Sequence, residues 1–275
     1  MIKYTKIIKG FVGLSAILTF SVLFLLIGYI LVKGLPHLSP SLFAIEFTTD
    51  NQSLFPAIIT TLMMIFLSLL IACPLGIFTG FYLVEYAKTG NKFVEIIRLT
   101  TETLSGIPSI VYGLFGLLFF VTALGWSFSL IAGAFTLSIM ILPLVIRSTE
   151  EALIAVPNNL REASFGLGAG KLRTIFRIVL PSAMPGILAG VILAIGRIVG
   201  ETAALIYTAG SVPKIPDSLF SSGRTLAIHM YVLSSEGLFT DKAYATAVIL
   251  LLVVIGINGL SSLIAKRFSK ENVNG

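Results

Sequence analysis

Cysteine, histidine and charge are all scarce in this 275-residue chain, which holds one Cys, two His and 12% charged residues. A single thiol excludes an internal disulfide framework and a cysteine-based metal site. Cys73 lies within an apolar run and reads as a packing thiol. His37 and His229 stand far apart, and neither belongs to an H-E-x-x-H or Ser-His-Asp grouping, so an intramembrane hydrolase is excluded. The segment Gly166-x-Gly168-x-Gly170-Lys171 falls short of a phosphate-binding loop. Phe165 stands where a glycine is required, and Leu172 where Ser or Thr is. No catalytic residue, metal-ligand set or nucleotide site is expected. A soluble domain carries about 25% charged residues. At half that, and with 56% hydrophobic residues, this chain has the bilayer as its solvent.

Apolar length is abundant. Six runs approach the roughly 20 residues that span a bilayer: Phe11–Val32, Ala57–Val84, Leu104–Leu124, Phe128–Ile146, Met184–Tyr207 and Ala245–Ala265. The first is too long for a signal-peptide core and no small-x-small cleavage site closes it, so it reads as a retained helix. Only Gly125-Trp126-Ser127 joins the third and fourth, and Trp126 suits an interfacial anchor. Pro108 and Pro143 are expected to interrupt their helices, as is tolerated where neighbours or a wet cavity satisfy the freed backbone.

Nineteen Lys and Arg residues set the orientation. Fourteen fall on one side: Lys3, Lys6, Lys9, Lys88, Lys92, Arg98, Arg147, Arg161, Lys171, Arg173, Arg177, Lys266, Arg267 and Lys270. Four fall on the other (Lys33, Lys214, Arg224 and Lys242), which leaves Arg197 within the membrane. Both termini and the loop after the fourth span are therefore cytoplasmic. The formal charge of +6 follows membrane topology and is no nucleic-acid signature. The long external stretch 208–244 reads either as a plain connector or as a re-entrant or surface helix that offers a docking surface.

The cytoplasmic loop is polar, basic and punctuated by glycine. Val156-Pro157-Asn158-Asn159 reads as a helix start that either Asn caps. Leu160, Ala163, Ser164 and Leu167 follow at i, i+3, i+4 and i+7 as one small, mostly apolar face. Gly166, Gly168 and Gly170 end that helix and allow a turn. Leu172, Ile175, Phe176 and Val179 form a second apolar face, and Pro181 is expected to break the helix before the fifth span. A short helix with a small-residue face suits another protein's groove. The spacing Glu162-Ala163-Ser164, Gly168, Ile178, Leu180, Pro181 resembles the EAA loop of ATP-binding-cassette importer permeases, with Ser164 where that family usually has alanine. The resemblance implies a coupling helix pressed into a cleft on a partner ATPase. ATP and Mg would be used by that partner, with no cofactor bound here.

Arg197 and Glu201 are the sharpest chemical signal, because charges inside a hydrophobic helix are expensive and by default functional. Counted from Pro185, Arg197 lies about 18 Å deep. Glu201 is four residues on and is expected on the same face. Gly196 and Gly200 flank the pair in a small-xxx-small pattern that permits a close neighbouring helix. The two readings are a structural intrahelical ion pair and an oxyanion contact, for which the arginine fork is well shaped. The stretch GRIVGETAAL resembles the corresponding helix of phosphate-importer permeases. SGIPSIVYGLF at 105–115 and IRSTEEAL at 146–153 are also similar to that family, and the continuations at 201–210, 225–229 and 241–246 look like its PstA-type subunit. The resemblance implies that Arg147 and Arg197 serve phosphate passage, with Glu201 and Thr202 beside them. Arg147 reads equally as a positive-inside anchor.

The expected fold is an all-α membrane protein of six transmembrane helices in the type I importer (MetI-like) architecture. Residues 1–53 would be an N-terminal helix with the first external loop. Residues 54–270 would be the permease core with its coupling loop at 150–182, and 271–275 a short tail. The implied function is phosphate import across a prokaryotic cytoplasmic membrane, with sulfate or molybdate as the alternative anions. The implied partners are a PstC-type permease, a PstB-type ATPase dimer, an external PstS-type binding protein and membrane lipid, without nucleic acid.

Overall fold

The computed structural model describes residues 2–88 and 90–271, with side chains for 8–88 and 90–263. The side chains of Lys3, Lys6, Lys266, Arg267 and Lys270, and the tail residues 272–275, lie outside the described residues. Among the described residues every regular element is helical. In chain order these are α1 (Ile2–Gly34), α2 (Phe55–Phe81), α3 (Lys92–Ser105), α4 (Ser109–Gly116), α5 (Leu130–Ile154), α6 (Asn158–Gly166), α7 (Lys171–Thr174), α8 (Leu180–Gly200), α9 (Ala203–Ile206), α10 (Leu226–Glu236) and α11 (Thr240–Glu271). Three wider π turns extend them: Tyr82–Tyr86 after α2, Leu117–Ala123 after α4, and Ile175–Val179 between α7 and α8.

Among the described residues, five helical segments are long and apolar enough to cross a membrane, or up to six if α3 and α4 together make one bent span. The bend is the interruption expected at Pro108: the run Leu104–Leu124 takes in the last two residues of α3 and then α4 with its π turn, and α3 and α4 are inclined at 103° across the break. Pro108 is the cause. It lacks an N–H, disfavours helical geometry at Ile107, and is itself extended at φ −59°, ψ 141°. Pro143, by contrast, is buried inside an uninterrupted α5, held by α2 and α8.

α5 is the axis of the molecule. α2 presents Gly76 to Val145 and Gly80 to Thr149, while α8 presents Gly186 to Ala152 and Gly190 to Ser148; a β-carbon at any of the four would overlap its neighbour. Among the described residues none makes the close approach that Gly196 and Gly200 permit, since a β-carbon at either would meet nothing within 4 Å. Met64, Leu137, Met140, Ile141, Ile198 and Leu205 fill the central core. Phe81, Leu153, Val156, Ile175 and Val179 form a second cluster where the chain enters and leaves the loop between α5 and α8. α1 is peripheral: residues 8–26 are all exposed, and it packs along α11.

The fifth expected span, Met184–Tyr207, also differs at both ends. Pro181 does not break it, and the helix runs from Lys171 to Gly200. The π turn just before Pro181 changes the hydrogen-bond register, so loss of that N–H does not end the helix. At the other end the helix stops at Gly200. Glu201 is extended (φ −74°, ψ 123°) and a short α9 restarts after Thr202. Between α9 and α11, α10 is a packed helix, with Leu226, Ala227, Ile228 and His229 buried.

Candidate functional site

Arg147 of α5 and Arg197 of α8 line one cavity of about 380 Å³, together with Arg98 of α3 and the carboxylates Glu102 and Glu150. The register of α5 against α8 gives the heights. Because Ser148 meets Gly190 and Ala152 meets Gly186, Arg197 falls level with about Ile141, near the middle of α5. Arg147 lies about 9 Å nearer the coupling loop. The arginines differ in their company. Arg147 Nε donates to Glu151 Oε1 at 3.0 Å, and Arg98 Nη2 lies 2.6 Å from Glu150 Oε1. Arg197, half-buried, has no ion-pair or hydrogen-bond partner among the described residues.

Glu201 does not pair with Arg197, which corrects the expected intrahelical bridge. The helix ends one residue earlier, so the i, i+4 geometry is lost. The Glu201 carboxylate is buried and its Oε1 accepts from Ala204 N at 3.0 Å, capping α9. Thr202 faces elsewhere. It lines two cavities of about 430 and 310 Å³ with Tyr231, the first reaching Tyr244 and the second Tyr207. The structure therefore brings Arg147 and Arg197 together and sets Thr202 on a separate opening. A non-helical break beside an unpaired cation is the kind of backbone that membrane proteins tolerate only where it lines a cavity.

The loop between α5 and α8 is compact. α6 starts after Pro157 and has no side-chain cap; Asn158 and Asn159 lie inside the helix, so neither caps it as expected. It closes with Ala169 N donating to Ser164 O and Gly168 N to Phe165 O, with Gly168 at φ +80°, where a side chain would be strained. Glu162, Ala163 and Leu160 are exposed, and Leu167 is 89% exposed, so an apolar knob faces outward. Ser164 turns the other way, buried, with Oγ 2.8 Å from Thr174 Oγ1. That bond fastens α6 to α7, and an alanine at this position could not make it. The expected second face splits: Ile175 and Val179 are buried while Leu172 and Phe176 are exposed. Ile178, Leu180 and Pro181 are half-buried at the entry to α8.

Two further links tie this loop to the membrane helices. Arg161 donates from Nε (3.1 Å) and Nη2 (2.9 Å) to Glu85 Oε1, from Nη2 to Leu153 O, and from Nη1 to Val156 O and Asn158 Oδ1. The pair is sequestered, with side chains 14% and 10% exposed. Lys171 Nζ lies 4.6 Å from the centre of the Tyr86 ring. Glu85 and Tyr86 belong to the π turn that ends α2, so the loop is anchored to α2 as well as to α5.

On the other side of the molecule, His229 of α10 is fully buried and edge-on to Phe47, with ring centroids 6.1 Å apart. Burial, and then the Arg224 charge, lower its pKa to about 4. The Gln52 backbone is near enough to favour the protonated ring, yet neither ring nitrogen completes a hydrogen bond among the described residues. No group of three or more His, Cys, Asp or Glu suited to a metal ion occurs among the described residues.

Residues 72–270 match the family model described as "Binding-protein-dependent transport system inner membrane component". The chain is 36% identical to "Probable ABC transporter permease protein YqgI" of Bacillus subtilis, over 86% of this chain and 85% of the relative. It is 34% identical to "Phosphate transport system permease protein PstA" of Haemophilus influenzae, over 93% and 91%. Among solved structures it is similar to a bacterial alginate ABC transporter in complex with alginate pentasaccharide-bound periplasmic protein (TM-score 0.68, 17% identity, covering 97% and 98%). It is also similar to the inward-facing MetNI methionine ABC transporter (TM-score 0.61, 20% identity, covering 78% and 94%). These last two likenesses are of fold.

Proposed function

The chain belongs to the binding-protein-dependent transport system inner membrane components, and from that membership we propose that it is the PstA-type permease subunit of an ATP-driven phosphate importer. Arg197 carries the choice of anion. It is a guanidinium without a counterion, near mid-bilayer, beside a helix break and on a cavity shared with Arg147. A planar fork of donors suits a tetrahedral oxyanion.

In this reading a PstS-type protein delivers phosphate from outside, where Thr202 opens onto the outer cavities. A PstC-type permease completes the pathway. Glu201 fixes the break by capping α9, leaving Arg197 free to meet the anion. A dimer of PstB-type ATPases uses ATP and Mg, and the Leu160–Leu167 knob with Glu162 and Ala163 enters its cleft. Gly168 turns the chain, and Ile178, Leu180 and Pro181 pass the displacement into α8. The helix runs unbroken from Lys171 to beyond Arg197, about 39 Å, so movement at the loop tilts the arginine directly. The chain itself carries no catalytic site. Residues 54–270 act as the core and 1–53 as an appended element, in keeping with the peripheral α1. Residues 271–275 would be the short tail, and the whole sits in a prokaryotic cytoplasmic membrane.

The test is uptake into proteoliposomes holding the assembled complex, with phosphate, sulfate and molybdate each presented on its own binding protein. Phosphate uptake is expected to be lost in Arg197→Leu while the complex still assembles. Uptake of sulfate or molybdate in place of phosphate would overturn the substrate and leave the coupling loop untouched.

A further inference from the structure

Arg98 has no part in the pathway described so far, yet it lines the same cavity as Arg147 and Arg197, from a third helix. The three cations descend in steps. Arg197 is level with about Ile141, Arg147 about 9 Å lower, and Glu150, which holds Arg98, about 14 Å lower. The top cation is bare and the lower two carry carboxylates, Glu151 on Arg147 and Glu150 on Arg98. Glu150 is 17% exposed, so its carboxylate is largely withdrawn from water, whereas Arg98 is half-exposed at the mouth. An anion that leaves Arg197 toward the loop side therefore meets guanidinium groups already occupied by carboxylates of like charge.

We propose that the loop-side mouth of this cavity is a second, transient oxyanion site, in which Arg98 receives the anion by exchange for Glu150, and Glu150 then displaces it toward release. Two ligands of like charge competing for one fork keep the site from becoming a trap. A bare arginine here would hold the anion instead. Arg98 is also well placed to move. α3 meets α4 through the 103° bend, packs against α5, and buries Val94 alone among its residues. A swing of α3 would offer or withdraw Arg98 without disturbing Arg197.

This inference rests on the reading of the chain as a phosphate permease, and the unmodified complex is the control that separates the two. The complex is assembled in nanodiscs with Glu150→Gln, Arg98→Gln and the double variant, and binding of labelled inorganic phosphate is measured beside uptake in proteoliposomes. Glu150→Gln is expected to bind phosphate about tenfold more tightly and to turn over about tenfold more slowly. The double variant is expected to return to the affinity of the unmodified complex. Unchanged affinity in Glu150→Gln, or tighter binding that Arg98→Gln does not reverse, would overturn the proposal. If Glu150→Gln fails to assemble, Glu150→Asp, whose shorter carboxylate reaches Arg98 less well, is expected to shift affinity the same way, and no shift there would count against the site equally. An unmodified complex that moves sulfate and not phosphate would overturn the phosphate reading alone, and the same variants would then be measured with sulfate.

Discussion

Replacing Glu85 with alanine strands a guanidinium that the fold has taken out of water. Arg161 makes five donor contacts, two of them to Glu85 Oε1, and both side chains are largely buried. Removing one member of a sequestered pair costs about 3–5 kcal/mol, because the other charge is left uncompensated. Arg161 keeps Leu153 O, Val156 O and Asn158 Oδ1, so the lower end, about 3 kcal/mol, applies. Glu85→Gln should cost less, roughly 1–2 kcal/mol, since its carbonyl still accepts a neutral hydrogen bond. At about 1.4 kcal/mol per factor of ten, the alanine variant shifts the docking of α6 by roughly a hundredfold. The assay is hydrogen exchange across 158–166, paired with phosphate taken up per ATP hydrolysed. Exchange should quicken by about that factor. Anion-stimulated hydrolysis should persist while uptake per ATP falls, because in the proposed scheme the knob still meets the ATPase but, no longer pinned to the end of α2, passes less of its displacement into α8. Unchanged exchange in Glu85→Ala would refute the reasoning, as would hydrolysis and uptake falling in strict proportion.

Ser164→Ala should leave Thr174 Oγ1 with only its 3.3 Å bond to Gly170 O, cost about 1 kcal/mol, and lower the thermal midpoint of the assembled complex. Acid should destabilise the chain through His229. Its folded pKa of about 4 lies below the ordinary 6.5, so the neutral ring's contribution is complete above about pH 6.5 and is lost as pH falls toward 4. The span amounts to roughly 3 kcal/mol, and His229→Phe should flatten the melting profile over that interval. An unchanged acid slope in that variant would count against the assignment.

Several parts of this molecule were legible in the sequence because they depend on local periodicity. Apolar runs marked the spans, and glycine spacing marked the turn at Gly168. That Arg197 lies within a span followed from its being the one basic residue away from the ends of the apolar runs, whereas its lack of an ion-pair partner did not, since Glu201 stands four residues on. Other features depend on partners distant in sequence. Glu85 and Arg161 are 76 residues apart, and Arg98 meets Glu150 only because the chain bends at Pro108. The expected Arg197–Glu201 bridge failed for a nearer reason. Gly200 followed by Glu201-Thr202 ahead of an apolar AALI is a stop and a new start, and the hydrophobic run concealed it. Pro181 misled in the opposite direction, since no sequence period reveals that a π turn will carry the helix past it.

The π turn at Ile175–Val179 has a bearing on the chain's tolerance of change. Each residue of a helix advances the azimuth by about 100°, so a turn with an extra residue sets the angular phase between everything before it and everything after it. Deleting one residue there would shorten the rod by only about 1.5 Å, yet swing the coupling knob roughly a quarter of the way around the α8 axis from the side on which Arg197 sits. The alignment of the loop with the face that carries Arg197 is thus set by a residue count along the helix. Substitutions along this stretch would leave that alignment intact, while a single insertion or deletion would be felt at both ends at once.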